Sequence, residues 1–191
     1  RDILLNVRPQ DWDICTSALP EQVLDIFPGS RPTGIKHGTV TVVIGARSAE
    51  VTTFRSEGDY TDHRHPSSVA FVGDLTTDLM RRDFTMNAMA VSADGLIIDP
   101  YGGAEDIRRG CIRCVGAPEK RFDEDALRML RAFRFSSRLG FEIEPATLAA
   151  IGKKAPLAAS LAAERVSTEV EKILLTARPE TLQTVISLGL L

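Results

Sequence analysis

Asp11-Trp12-Asp13-Ile14-Cys15-Thr16-Ser17-Ala18-Leu19-Pro20-Glu21-Gln22 decides how the rest of the chain is read. Two carboxylates stand at i and i+2, with Trp12 between them and a β-prone Ile14-Cys15-Thr16 behind. On a strand alternate side chains share a face and each residue rises about 3.3 Å, so Asp11 and Asp13 project side by side with roots about 7 Å apart. Both can then reach one or two cations, and a hard cation such as Mg²⁺ removes the repulsion between neighbouring carboxylates. The plain alternative is a solvated strand end. Ser17 to Glu21 then reads as a helix start, with Pro20 in the first turn and Val23, Leu24 and Phe27 at helical spacing. Pro28-Gly29-Ser30 ends it.

Outward from this stretch, Arg1 to Asn6 is short and apolar and reads as the tail of a helix. Thr39 to Ile44 is dense in β-branched residues, and Glu50 to Phe54 is its expected hairpin partner across Gly45-Ala46-Arg47-Ser48. That puts three strands side by side, with Glu50 at the start of the third. Arg55 to Ser68 is polar and loop-like, and its His63-Arg64-His65-Pro66 is no metal site, because a cation wedged between two ligands repels another. Leu75 to Val91 has the apolar spacing of a helix, Gly95 to Pro100 of a short strand, Tyr101-Gly102-Gly103 of a turn and Cys111 to Val115 of another strand. After Gly116-Ala117-Pro118 only helix signals follow: Phe122 to Arg138, Pro145 to Lys154, Ala163 to Ala177 and Pro179 to Leu188. The expectation is an α+β domain over residues 1–117 and an all-α domain over 118–191.

With 43% hydrophobic residues in 191, the chain can build a core, and a net charge of −3 gives no global attraction to nucleic acid. Any such binding must come from a local cluster of arginines. No apolar run approaches a membrane span of about 20 residues, and no signal peptide is visible. The first residue is Arg1 rather than Met, so the expectation is a piece of a longer protein. Three cysteines, an odd and low count, suit a reducing cytoplasm, and Cys111-Ile112-Arg113-Cys114 reads as two small buried residues rather than zinc ligands.

Three further segments could do chemistry. Glu50 would add a third carboxylate to the Asp11–Asp13 pair, as a two-cation site needs, although taken on its own its position favours a solvent-facing strand glutamate. In Arg81-Arg82-Asp83-Phe84-Thr85-Met86-Asn87, a helix would set Arg82 and Asn87 about 140° apart, so they could grip only a ligand lying along it. In Phe122 to Arg134, Asp125 and Arg128 are i and i+3, hence neighbours on a helix or merely an intrahelical ion pair. Arg128, Arg131 and Arg134 alternate with Leu127, Leu130 and Phe133 to make a basic ridge, suited to phosphates or carboxylates because the guanidinium fork pairs bidentately.

The segments RDILLNVRPQDWDICTSALPE, TGIKHGTVTVV, EVTTFR, RRDFTMNAMA, DPYGGAEDI, IRCVG and RFDEDALRMLRAFRF together resemble the class II tRNA nucleotidyltransferases and bacterial poly(A) polymerases of the polymerase-β-like nucleotidyltransferase superfamily. They run in the family's order over residues 1 to about 142, and Ala163-Glu164-Arg165-Val166 resembles its last motif. The resemblance implies a catalytic head with a small mixed sheet flanked by helices, then an all-α neck. It implies that Asp11 and Asp13 bind Mg²⁺ with Glu50 as the third catalytic carboxylate, the metal activating an RNA 3′-hydroxyl for attack on the α-phosphorus. Arg82, Asp83 and Asn87 would face the nucleotide's sugar and phosphates, and Arg1, Arg131 and Arg134 the triphosphate. Asp125 and Arg128 would read the base.

A carboxylate accepts from the amino group of cytosine or adenine while a guanidinium donates to the adjacent ring nitrogen; uracil and guanine reverse both partners. Two mismatches at about 1–3 kcal/mol each would exclude UTP and GTP. The substrates implied are thus CTP, ATP and a tRNA 3′ end, with no membrane partner. Ala126, where poly(A) polymerases tend to carry Pro, favours addition of both C and A over poly(A) synthesis; CC-only and A-only enzymes share the motif. A truncated, non-catalytic nucleotide- or RNA-binding module is the reading from another class. Relatives carry a Gly-Gly pair just before the segment that starts here at Arg1, and a protein lacking it is expected to bind triphosphates poorly. They also continue into further helical domains that hold tRNA.

Overall fold

The computed structural model describes residues 1–9, 12–58, 60 and 66–191. The described residues pack as two compact units, one drawn from 2–9, 12–58 and 66–81 and the other from 82–191 with Arg1 and Tyr60.

The first unit is a four-stranded mixed sheet with one helix against it. Strands β1 (Asp13–Thr16), β2 (Arg31–Gly34), β3 (Thr39–Ile44) and β4 (Arg47–Thr53) lie in the order β1-β4-β3-β2, and helix α1 (Pro20–Ile26) packs on β3. The period-2 pattern of β3 turns Val40 and Val42 to the helix side, where they bury with Val23 of α1 and Val51 of β4. The β3–β4 hairpin closes on Gly45 and Ala46 alone, with Gly45 at φ 59°, so β4 begins at Arg47 and Glu50 sits mid-strand rather than at its start. Strand β1 pairs with β4 in parallel, Asp13 with Glu50. Residues 1–6 form turns instead of the expected helix tail: the Leu5 and Asn6 N–H groups donate to the Asp2 and Ile3 carbonyls, and Asn6 takes φ 54°. Beyond the sheet, β5 (Arg55–Glu57) and β6 (Val69–Phe71) pair antiparallel in a stretch whose composition reads as loop. Helix α2 (Leu75–Met80) starts on Asp74, whose carboxylate accepts the Thr76 and Thr77 N–H groups.

The helix expected over Leu75 to Val91 stops at Met80. From Asp83 onward the backbone is engaged elsewhere: the Thr85 N–H donates to the Arg113 carbonyl at 2.9 Å and the Val115 N–H to the Asp83 carbonyl at 3.1 Å. Tertiary pairing overrides the apolar spacing, which comes from Phe84 and Met86, both fully buried. A 3₁₀ turn over Thr85–Asn87 leads into β7 (Ala90–Val91), paired with β8 (Ile97–Ile98).

Helix α3 (Gly103–Arg109) escaped the periodicity reading. Its first N–H groups, on Gly103 and Ala104, donate to the Asp99 carboxylate at 2.7 and 2.9 Å. Gly103 must be glycine, because a Cβ there would stand 2.1 Å from the Thr85 carbonyl oxygen. Strand β9 (Cys111–Ile112) follows, then helices α4 (Pro118–Glu124) and α5 (Leu127–Leu139) where one continuous helix is expected. After α5 the chain is not purely helical: β10 (Glu142–Ile143) pairs parallel with β9. Helices α6 (Pro145–Lys154), α7 (Ala163–Leu174) and α8 (Thr181–Ser187) complete the unit, α6 with the limits its sequence predicts. Phe84, Phe122, Met129, Leu130, Ile151 and Ile173 form the buried interior. The architecture is α+β, as expected. No described helix is long and apolar enough to cross a membrane.

Candidate functional site

On the sheet, the parallel register sets Asp13 of β1 opposite Glu50 of β4, and the antiparallel register sets Glu50 opposite Thr41 of β3. Paired residues on neighbouring strands project to the same face. That face is polar: Thr41 shares a hydrogen bond with Thr33 at 2.8 Å, and Thr39 with Thr52 at 3.0 Å. The other face carries Val40, Val42 and Val51 into the core. Asp13 and Glu50 are both exposed, and among the described residues neither carboxylate takes a hydrogen bond or ion pair. Both line a cavity of about 1020 Å³, along with Trp12, Thr41 and Ser48. Two adjacent, unengaged oxygen-donor side chains suit a hard divalent cation. Asp11 lies outside the described residues; among those described, no group of three His, Cys, Asp or Glu side chains could hold a metal. His63 and His65 also lie outside them.

In the second unit, the segment after Arg82 is organised by Asp83. One carboxylate oxygen accepts the Phe84 N–H at 2.8 Å and the Asn87 amide at 3.1 Å; the other accepts Arg131 Nε at 2.8 Å and lies 2.6 Å from its second nitrogen. Burial works against ionisation of Asp83, yet the Arg131 charge and these hydrogen bonds hold its carboxyl below the ordinary value. Asn87 in turn accepts from Arg1 at 2.8 Å. Since residues 82–87 do not form a helix, the expected separation of Arg82 and Asn87 around one does not apply; half-buried Arg82 simply precedes the Asp83–Asn87 bond.

Three guanidiniums converge on one ring. Arg1, Arg131 and Arg134 lie 5.2, 5.5 and 4.4 Å from the centroid of Phe135, which is itself buried. Arg131 is anchored to Asp83 and Arg134 to Glu169 of α7, whose carboxylate lies 3.2 Å from Arg134 Nε and also accepts from its Nη1 at 3.2 Å. Three cationic side chains are thus gathered round one ring in a chain whose net charge is −3.

Asp125 and Arg128 lie in one turn at the start of α5, where the Arg128 N–H donates to the Asp125 carbonyl at 3.0 Å; the break from α4 falls at Asp125 itself. Asp125 is extended, at φ −147° and ψ 105°, and its Oδ1 accepts the Leu127 N–H at 3.1 Å. Its carboxylate pairs with both nitrogens of Arg165 of α7, at 3.2 and 2.9 Å. Arg128 donates to Glu124 at 2.6 Å and to the Arg121 carbonyl at 3.2 Å, and Arg121 also pairs with Glu124. The residues of the arginine ridge are thus each tied to a carboxylate: Glu124, Asp83 and Glu169.

Sequence reasoning missed two supports. In the first, Asp106 accepts from Thr85 Oγ1 at 2.5 Å and from Arg113 Nε at 3.0 Å, while Arg113 also donates to the Tyr101 carbonyl at 2.8 Å, so the Asp99–Asp106 segment buttresses the Thr85 turn. The signal available was Asp99-Pro100 followed by Gly102-Gly103, a cap and a close approach. In the second, Arg165 and Glu169 are a turn apart on α7 and meet Asp125 and Arg134 of the other segment. Their i,i+4 spacing was legible, but not which residues they would meet. Cys111 and Cys114 are free thiols; Cys114 is buried as expected, whereas Cys111 is only half-buried.

Comparison with known proteins agrees with these motifs. Residues 1–113 match the family of the Poly A polymerase head domain, and residues 140–191 match a probable RNA and SrmB-binding site of polymerase A. A CCA-adding enzyme of Geobacillus stearothermophilus is 57% identical over 174 residues, covering 91% of this chain and 43% of that protein. The crystal structure of Bacillus stearothermophilus CCA-adding enzyme in complex with CTP superposes with a TM-score of 0.89 at 50% identity, over 99% of this chain and 46% of that one. A Thermotoga maritima CCA-adding enzyme complexed with tRNA-CCA gives a TM-score of 0.78 at 27% identity, over 99% and 44%. The chain therefore spans less than half the length of the relatives it matches. By these matches and by its motifs, the chain belongs to the poly A polymerase head-domain family of nucleotidyltransferases, with CCA-adding enzymes among its similar relatives.

Proposed function

We propose that this chain carries the catalytic head, residues 1–117, and the helical neck, 118–191, of a template-independent RNA nucleotidyltransferase that adds C and A from CTP and ATP to tRNA 3′ ends in the cytoplasm. The observation that carries the reading is the register pair Asp13–Glu50, two unengaged carboxylates on the polar face of the sheet. Matches to the head family over 1–113 and to the RNA-binding family over 140–191 support the division, and the free thiols Cys111 and Cys114 suit the compartment.

Asp13, Glu50 and Asp11 supply the oxygen ligands that fit Mg²⁺. Bound there, the cation would lower the cost of charge developing on the attacking 3′-hydroxyl and on the phosphates. The chain's own residues do the rest. Arg1, Arg131 and Arg134 bind and orient the triphosphate; Arg82, Asp83 and Asn87 face the sugar and phosphates. Asp125 accepts from the base's amino group and Arg128 donates to its ring nitrogen, so CTP and ATP satisfy both partners. No nucleic-acid template is needed for that choice.

The test is incorporation by the full-length protein on tRNA lacking its 3′ end, with ATP alone and with CTP plus ATP. Addition that needs CTP and stops after a terminal A is the expected result. Long A tails without C would establish a poly(A) polymerase, and binding of CTP and ATP without any incorporation would establish a binding module.

A further inference from the structure

We infer that Arg31 holds a backbone phosphate of the RNA 3′ end as that strand crosses the polar face of the sheet; this rests on the functional reading above. Arg31 of β2 stands opposite Thr41 of β3, Thr41 opposite Glu50 of β4, and Glu50 opposite Asp13 of β1. Side chains paired across neighbouring strands share a face. One row therefore runs across all four strands, from a cation at one end to two carboxylates at the other. Neighbouring strands lie about 4.8 Å apart, so Arg31 is rooted about 10 Å from Glu50.

The ground between is lined with hydroxyls. Strand β2 slips register between Arg31 and Gly34, which brings both Arg31 and Thr33 alongside Thr41. Thr33 and Thr41 share a hydrogen bond at 2.8 Å, and Thr39 and Thr52, the next pair along, share another at 3.0 Å. In each pair one hydroxyl proton is used and the other is left to donate. Neither β2 nor β3 contains a carboxylate that would repel a phosphate. Arg31 is exposed, and among the described residues its guanidinium takes no hydrogen bond or ion pair. It differs in this from Arg128, Arg131 and Arg134, each tied to a carboxylate.

The number of charges selects the ligand. A nucleoside triphosphate carries several and calls for several cations, such as the three guanidiniums gathered at Phe135. One guanidinium beside neutral hydroxyls suits the single charge of a phosphodiester. An RNA whose 3′-hydroxyl lies at Asp13 and Glu50 must lead its backbone away from them, and β3 and β2 extend the face in the direction that ends on a cation.

The experiment compares wild type, Arg31→Gln and Arg31→Lys in the full-length protein, acting on tRNA that lacks its 3′ end. It measures kcat/KM for the tRNA and KM for CTP over a range of salt at fixed Mg²⁺. Arg31→Gln should lower kcat/KM for tRNA about fivefold at low salt and reduce the slope of its logarithm against log salt by about 0.7, the share of one single-strand phosphate contact. KM for CTP should stay the same, and Arg31→Lys should keep the wild-type slope because it keeps the charge. A tRNA with an uncharged methylphosphonate at its last or its penultimate linkage locates the contact: at one of the two, wild type and Arg31→Gln should become equal. An unchanged slope in Arg31→Gln, a loss that shows in KM for CTP instead, or no equality at either linkage overturns the role of Arg31 alone. A wild type that incorporates neither CTP nor ATP overturns the functional reading, and this inference with it.

Discussion

The polar face of the sheet and the α5–α7 face of the helical unit hold their candidate side chains in opposite ways. Asp13 and Glu50 are placed by strand register and left exposed and unengaged. Asp83, Asp125, Arg128, Arg131 and Arg134 are each locked by an ion pair, with Asp83 and Arg128 buried. The difference follows from what each would bind. A cation supplies its own charge to a carboxylate cluster and organises it on arrival. A base edge offers only neutral donors and acceptors, so the groups that read it must be oriented beforehand.

Substitutions should therefore separate cleanly between the two faces. Glu50→Gln has the largest expected effect on activity: on the proposed reading, about a thousandfold loss of turnover, since a catalytic carboxylate is worth several kcal/mol in the transition state. Its melting temperature should stay close to that of the wild type, because an exposed, unpaired strand residue contributes within about 0.5 kcal/mol. Asp83→Ala is the converse. It leaves the Arg131 charge and the Asn87 amide without their partner and should cost about 3–5 kcal/mol in chemical denaturation.

The same carboxylate gives a pH signature. The folded-state pKa of Asp83 is depressed, so its stabilisation is fully present above the unfolded value of about 3.9 and is lost as pH falls through the folded one. Stability measured from pH 6 downward should drop below about pH 4 in the wild type, and Asp83→Asn should flatten that part of the curve.

How much of this was legible in the sequence depends on how local each contact is. The hairpin of β3 and β4 was visible because period-2 β-branched residues and a short Gly-containing turn are local signals. That Glu50 would lie near the carboxylate strand was expected; its parallel register with Asp13 was not legible, since a pairing across 37 residues is fixed by α1 and the core beneath it. Residues 82–87 carry helix-like apolar spacing, but Phe84 and Met86 are apolar because they enter the core through backbone pairing with Arg113 and Val115. Likewise Asp125 and Arg128 share the expected turn, but the break just before it turns Asp125 to Arg165 of α7, a partner 40 positions away that belongs to tertiary packing. Residue types announced the chemistry; the ion pairs that aim those residues were decided by the fold.

Two smaller effects sharpen the contrast. Gly103→Ala should cost about 1–3 kcal/mol, because the Thr85 carbonyl must yield to the new methyl group, and the strained Thr85 turn should raise KM more than it lowers kcat. Cys114, whose thiol burial pushes up to about 12, should resist alkylation at pH 8 in the native protein and react normally once unfolded. Mass spectrometry after brief labelling reads this directly.

The division of labour itself is tested by single-turnover incorporation of CTP, ATP and UTP by Asp13→Ala and Asp125→Ala, each in the full-length protein. Asp13→Ala should slow every nucleotide by the same large factor and leave the order of preference intact, whereas Asp125→Ala should erase most of the preference for CTP over UTP with a smaller loss of rate. The reverse pattern, preference lost with Asp13 and rate lost uniformly with Asp125, would contradict the account.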